Sequence, residues 1–219
     1  MLSGEIMYIY PAEDSTGGTP LSPSQRLTIA AVPLKDTEQL PTMIRIVKGM
    51  RVMVTRNIST AANLSNSSRG RITDIILDPR EAPIGQSAIE QRRTYLHYPP
   101  FLVIFELNFC ELPQLPGLPP RHVPLSPISS KFTVGSNPSI RVTRRQLALT
   151  PAYAFTDFKS QGQTIDHVLV DIGKTTCFGL SPFNAYVGLS RSRGRETIRL
   201  LRDFDDNLFI RHRIGRPAH

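Results

Sequence analysis

The chain has 219 residues, 40% of them hydrophobic and 20% charged, with a formal net charge of +8. That length can bury a core as one domain or two small ones, and no apolar run approaches the roughly 20 residues of a membrane span. Its two cysteines, Cys110 and Cys177, offer neither metal spacing nor a disulfide framework.

The charge is uneven. Residues 1–40 hold two bases and five acids, net −3, whereas residues 191–219 hold eight arginines and four acids, net +4. A basic balance suits a polyanion, because neutralised phosphates release counterions; a generic solvated basic surface fits the same numbers. The start, MLSGEIMYIY, lacks the basic region that opens a signal peptide. An intracellular protein with reduced thiols and no membrane partner is expected.

In chain order, Glu5–Tyr10 reads as a strand and AEDSTGGTP as a turn-rich segment. Residues 21–49 read as a connecting stretch in which Pro33 and Pro41 limit any helix. From Met50 the pattern turns to β: a strand at 51–55, a turn at 65–70 (SNSSRG) and a strand at 71–77. By themselves these describe any β-hairpin. Residues 78–94 are a charged surface excursion. FLVIFELNF at 101–109 is the strongest strand, apolar enough to predict burial on both faces despite Glu106. Six prolines between Leu112 and Pro127 predict an extended, stiff loop. KFTV at 131–134 and SIRVTRRQ at 139–146 return to β.

The stretch from Leu149 to Asp203 organises the rest. Three β-type runs (Leu149–Phe155, His167–Ile172, Glu196–Leu201) alternate with helix-compatible segments (Lys159–Thr164, Ser181–Arg191). Alternation of this kind predicts an α/β fold with a parallel sheet, whose ligands gather beyond the carboxyl ends of the strands. Two polar clusters fall there: Thr156–Thr164 (TDFKSQGQT) and Tyr186–Arg191 (YVGLSR). In the first, a helix beginning at Lys159 would aim backbone amides at an anion, with lysine, serine and threonine as further phosphate donors. In the second, Arg191 carries a fixed fork of donors that suits phosphate.

KSQGQT at 159–164 and YVGLSR at 186–191 resemble the fifth and sixth motifs of superfamily-one DNA helicases of the PIF/RecD type, in matching order and spacing. The earlier VMVTRNI (52–58), SNS (65–67) and RITDI (71–75) resemble the opening of a small β-barrel inserted in that family's second RecA-like domain. Ser67 stands where the family has a glycine, Gly188 where it has alanine, and Phe158 where it often has histidine. The resemblance implies a parallel-sheet RecA-like domain, an incomplete helicase core, with an inserted β-barrel. Residues 1–48 would be lead-in and part of that domain, 49–146 the insert, 147–210 the segment with the two motifs, and 211–219 a tail.

It also implies roles. Thr156, Lys159, Ser160 and Gln161 would face single-stranded DNA; Gly162, Gln163 and Thr164 would lie nearer the nucleotide. Arg191 would be an arginine finger against the γ-phosphate of ATP, with Tyr186 and Ser190 packing or orienting it and Arg193 and Arg195 as runners-up. The whole enzyme would unwind DNA 5′ to 3′ with ATP and Mg2+, in the nucleus or mitochondrion. This sequence has neither a full P-loop nor an acidic magnesium site, so a first ATPase domain is an expected partner and the chain alone is expected to be inactive. A non-catalytic module binding single-stranded DNA is the alternative.

Three other features are set aside. Gly173-Lys174-Thr175 has the tail of a P-loop, but Val168 occupies the position of its first glycine, so a surface turn is expected. Asp203, Asp205 and Asp206 read as a solvated turn. The histidines at 97, 122, 167, 212 and 219 lack ligand spacing, and no metal site is expected.

Overall fold

The structure, a computed structural model, describes residues 4–59, 64–108, 113–135, 139–154, 156–174 and 180–210. Cys110, Cys177, Phe155, Thr175, His212, His219 and the 211–219 tail lie outside them. The chain divides into two compact units, Met1–Tyr153 and Ala154–His219.

The first unit opens with β1 (Met7–Pro11), β2 (Glu13–Thr16) and β3 (Thr19–Pro20). The connecting stretch expected over 21–49 is more structured than that. Helix α1 (Pro23–Ala30) starts at a reciprocal cap: the Ser22 hydroxyl accepts from the Gln25 N–H, the Gln25 side chain accepts from the Ser22 N–H, and Pro23 opens the first turn. A 3-10 turn (Leu34–Thr37) and β4 (Met43–Ile46) follow. Pro33 and Pro41 flank these elements and interrupt none of them. The unit continues through β5 (Arg51–Val54), β6 (Arg69–Ile76), α2 (Gln86–Gln91), β7 (Arg93–Tyr95), β8 (Leu102–Leu107), β9 (His122–Leu125), β10 (Ile128–Val134), β11 (Ile140–Gln146) and β12 (Leu149–Pro151).

These strands form three sheets, ordered β4-β1-β7, β10-β11-β2-β3 and β12-β5-β6-β8-β9. All their ladders are antiparallel except β1 with β7. The expected parallel sheet is therefore corrected for most of the chain. Leu149–Pro151 pairs antiparallel with Val54–Val52, so the run thought to begin the RecA-like alternation belongs to the first unit. The five-stranded sheet leaves β12 and β9 as edges, and no ladder among the described residues closes it into the expected barrel.

The main core lies on this sheet, where Val52, Val54, Ile72, Val103, Phe105 and Leu107 pack with Tyr10, Ile46 and Leu147. Strand β8 alternates: Val103, Phe105 and Leu107 are buried, while Leu102, Ile104 and Glu106 are half-buried. Burial on both faces is thus corrected; Glu106 on the second face takes ion pairs from Arg71 and Arg121, both at 2.9 Å. The proline-rich segment also departs from a pure loop. His122–Leu125 forms an edge strand, with Val123 and Leu125 buried and Pro124 outward, the setting in which a strand tolerates proline.

Two turn residues explain how β5 connects to β6. Ser67 takes φ +75, supplying the left-handed position without a glycine. Gly70 is needed for space: a Cβ there would lie 2.1 Å from the Glu106 carbonyl oxygen and 2.8 Å from the Phe105 ring. A smaller core joins α1 to the second sheet through Leu21, Ile29, Phe132, Val134 and Val142. Arg144, fully buried, donates to both carboxylate oxygens of Asp14 and to the Leu40 carbonyl, which satisfies its charge inside the unit.

The second unit is α/β. It comprises α3 (Asp157–Ser160), β13 (Val168–Val170), α4 (Pro182–Leu189), a 3-10 turn (Arg195–Thr197), β14 (Ile198–Leu200) and α5 (Asn207–Ile210). Strands β13 and β14 pair in parallel, and a parallel bridge joins Ile165 to Ser192. Val170, Ile172 and Ala185 form its core, with Val168, Leu180, Leu189 and Ile198 against them.

Candidate functional site

Both polar clusters lie in the second unit. Thr156 has extended backbone (φ −73, ψ 159), so the chain enters a helix at Asp157 rather than at Lys159. Asp157 supplies the first-turn carboxylate, and the helix ends at Ser160. Lys159 and Ser160 therefore close this single turn instead of opening it, and the Ser160 carbonyl accepts from the Gln163 N–H at 3.1 Å. The Ser160 hydroxyl, buried, donates back to the Asp157 carbonyl at 2.6 Å. Gln161 leaves the helix and Gly162 turns the chain at φ +71. The Gln163 amide then reaches back to the Lys159 carbonyl at 3.0 Å, leaving its own Oε1 buried with no partner among the described residues. Thr156, Gln161, Gly162 and Thr164 are exposed, and Lys159 is half-buried.

The second cluster closes α4. Ser181 caps that helix, accepting from the Asn184 N–H at 3.2 Å while its hydroxyl bonds the Asn184 side-chain oxygen, and Pro182 takes the first turn. Gly188 packs on the core, where an added Cβ would come within 3.1 Å of Val170. Tyr186 points outward, 67% exposed. Ser190 meets Arg191 directly, its Oγ accepting from Nη2 at 2.7 Å.

Arg191 brings the two clusters together. Its Nε donates to the Val187 carbonyl at 2.8 Å, and its Nη1 spans the Ser160 and Gln163 carbonyls at 3.5 and 3.4 Å. Its own carbonyl accepts from the Ile165 N–H at 2.8 Å. One half-buried guanidinium is thus shared between its own helix end and the 160–163 turn, where a cation also suits the negative end of α4. A second tie escaped the sequence reading: the Asn184 amide donates to the Asp157 carboxylate at 2.5 Å. Its signal was present in Ser181-Pro182, which fixes the first turn of α4 and hence the direction of Asn184.

The runners-up are placed differently. Arg193 pairs with Asp166 at 2.9 Å, both exposed, and Arg195 lies in the 3-10 turn. Gly173 is buried beneath Arg202, whose Nε bonds Asp171 at 2.8 Å; the Gly173 N–H bonds the same oxygen. The Arg202 guanidinium, and then that N–H, hold the Asp171 carboxyl below its ordinary range. Asp205 accepts from the Asn207 backbone and side chain at the start of α5. Among the described residues, no group of three His, Cys, Asp or Glu side chains could hold a metal ion. None of the described helices is long and apolar enough to cross a membrane.

The fold resembles that of solved helicases. The Pif1 helicase from Candida albicans matches with a TM-score of 0.54 and 24% identity, over 94% of this chain and 42% of that one. Bacteroides Pif1 bound to single-stranded DNA matches with a TM-score of 0.55 and 17% identity, over 94% of this chain and 37% of that one. These likenesses define a helicase-domain fold.

Sequence likeness points to the same proteins. The ATP-dependent DNA helicase PIF5 of Trypanosoma brucei brucei is 45% identical over 89 residues, which is 40% of this chain and 9% of that protein. The ATP-dependent DNA helicase PIF1 of Homo sapiens is 26% identical over 163 residues, 74% of this chain and 20% of that protein. No family model matches the chain. The chain is similar in sequence to Pif1-type DNA helicases, and it spans 9% and 20% of the length of these two curated relatives.

Proposed function

We propose that this chain is the carboxy-terminal part of an ATP-dependent DNA helicase that moves 5′ to 3′ along single-stranded DNA. In this reading residues 49–146 form the inserted β-rich subdomain. Residues 147–210 complete the second RecA-like domain, with 1–48 before them and the 211–219 tail after. The P-loop and the carboxylates for Mg2+ belong to a first ATPase domain outside residues 1–219. Among the described residues no group of three His, Cys, Asp or Glu side chains could hold the metal. The compartment proposed is the nucleus or the mitochondrion, which a fluorescent fusion would test.

The observation that carries this reading is the guanidinium of Arg191 held over the Ser160 and Gln163 carbonyls. Thr156, Lys159, Ser160 and Gln161 are the proposed DNA side; Gly162, Gln163, Thr164 and Arg191 are the nucleotide side. A γ-phosphate offers Arg191 charged acceptors in place of two neutral carbonyls at 3.5 and 3.4 Å. Moving the fork to phosphate stabilises charge in phosphoryl transfer and releases the 160–163 turn. The grip on DNA would thereby change with nucleotide state.

The test is ATP hydrolysis by the purified chain, with and without single-stranded DNA, beside Arg191→Ala. No turnover is expected from the chain alone. DNA-stimulated turnover that disappears in the variant would refute the need for a first ATPase domain, since the cleft would be complete in this chain or between two copies. The alternative, a non-catalytic single-stranded DNA-binding module, draws on the same residue: the Arg191 fork is already satisfied internally. It predicts salt-dependent DNA binding that a non-hydrolysable ATP analogue leaves unchanged, even when the first ATPase domain of a relative is added.

A further inference from the structure

The first unit holds a cavity of about 380 Å3 that the helicase reading leaves unused. It forms where the end of β5, the turn before β6 and the 3-10 turn after α1 converge. Thr55, Arg56 and Asn57 supply one wall, Asn66 another, and Lys35, Glu38 and Gln39 the rim. Pockets that hold small ligands begin at about 300 Å3.

Two features of its lining point to a ligand. Thr55 is only 9% exposed, and its hydroxyl has no partner among the described residues. A buried hydroxyl left unpaired is unfavourable and is rarely kept without a use. One side-chain amide is also held in place. Asn57 Oδ1 accepts from the Asn66 N–H at 2.9 Å, which fixes the Asn57 side chain and leaves its NH2 without a partner among the described residues.

Charge sets the class of ligand. Arg56 is occupied, pairing with Glu38 at 3.6 Å and donating to the Ser130 hydroxyl at 2.8 Å. Those two charges cancel. Lys35 is exposed and has no ion pair among the described residues, so it leaves the cavity one net positive charge. Side-chain amides match the donor and acceptor edges of bases. A lysine serves phosphate as a point charge, and unstacked bases of a single strand present their edges freely. We propose that this cavity takes one unstacked nucleotide of single-stranded DNA. Its base edge meets the Asn57, Asn66 and Gln39 amides and its phosphate meets Lys35, with Thr55 supplying a hydroxyl from the wall. The proposal rests on the DNA-binding reading above and adds a contact in the first unit.

The experiment is NMR titration of the whole chain with a mixed-sequence DNA tetranucleotide. Backbone amide shifts are followed at Lys35, Asn57 and Asn66 and, separately, over residues 156–165. Saturable shifts at the cavity are expected, with Lys35→Ala and Asn57→Ala each weakening them roughly tenfold. Thr55→Val should weaken binding while leaving the thermal midpoint unchanged or raised, which a merely structural role would not do. Shifts confined to 156–165 overturn the cavity site and leave the helicase reading standing. No shifts in either place overturn both. If Thr55→Val fails to fold, the surface change Lys35→Ala decides: unchanged affinity refutes the site.

Discussion

Replacing Arg191 by alanine removes four donor contacts at once, two within its own helix end at 2.8 and 2.7 Å and two to the 160–163 turn at 3.5 and 3.4 Å. The short pair, with a cation at a helix carboxyl end, contributes about 1 kcal/mol. The long pair sits at the limit of useful geometry and adds about 1 kcal/mol. Only the long pair reaches the turn, and a loss of about 1 kcal/mol raises its local opening roughly fivefold. Hydrogen exchange read by mass spectrometry should therefore show faster exchange in peptides covering 156–165, with peptides covering 122–134 unchanged as an internal control. Arg191→Lys keeps the charge at the helix end but loses the fork, so it should recover about half the protection. Unaltered exchange over 156–165 in the alanine variant would refute the reasoning, because the guanidinium would then not be what holds the two clusters together. A consequence follows for DNA binding. Arg191→Ala should weaken it even in a non-catalytic module, so nucleotide dependence rather than this variant separates the two functional readings.

Gly70→Ala places a methyl 2.1 Å from the Glu106 carbonyl and should cost about 3 kcal/mol or more, read as a lower urea midpoint for the first unit; a shift under about 1 kcal/mol would mean the strands separate more easily than their pairing implies. Tyr10 is fully buried, and its hydroxyl has no partner among the described residues; burial holds the phenol pKa well above its ordinary value. Tyr10→Phe should therefore raise stability by about 1 kcal/mol in the same assay, whereas a loss of that size would reveal a partner for the hydroxyl. The Arg80 guanidinium, bonded at 2.9 Å, holds the Asp78 carboxyl down to about 2. A folded-state pKa below the unfolded one stabilises above the unfolded value, and the benefit disappears as pH falls through the folded value. The urea midpoint of the wild type should thus drop between about pH 4 and about pH 2 by more than that of Asp78→Asn; equal slopes would show that the pair contributes nothing.

Much of the candidate site was legible because its chemistry is local. The order KSQGQT then YVGLSR marked the two segments that Arg191 ties together, and Ser181-Pro182 is a cap whose meaning depends on four adjacent residues. Helix α3 starts at Asp157, two residues before the expected Lys159. Thr156 and Asp157 also make a helix entry, and choosing between two entries depends on what the following turn packs against. Likewise Ser22-Pro23-Ser24-Gln25 carries the capping signal of α1, and Pro33 lies beyond the end of that helix.

What the sequence determined by itself was set by short-range physics: strand-forming runs at 51–55, 71–77, 101–109 and 139–146, and the two motif segments with their spacing. Tertiary structure decided which strands pair. Leu149–Pro151 joins Val52–Val54 across about a hundred residues, β8 buries only one face because Glu106 is needed on the other, and β2 takes the edge of β11 that β10 leaves free. Pairing of this kind depends on closing long loops and burying shared apolar faces, costs and gains that no single segment carries. The tie between Asp157 and Asn184 and the cavity around Thr55 arise the same way, from side chains distant in sequence that only the folded backbone places side by side.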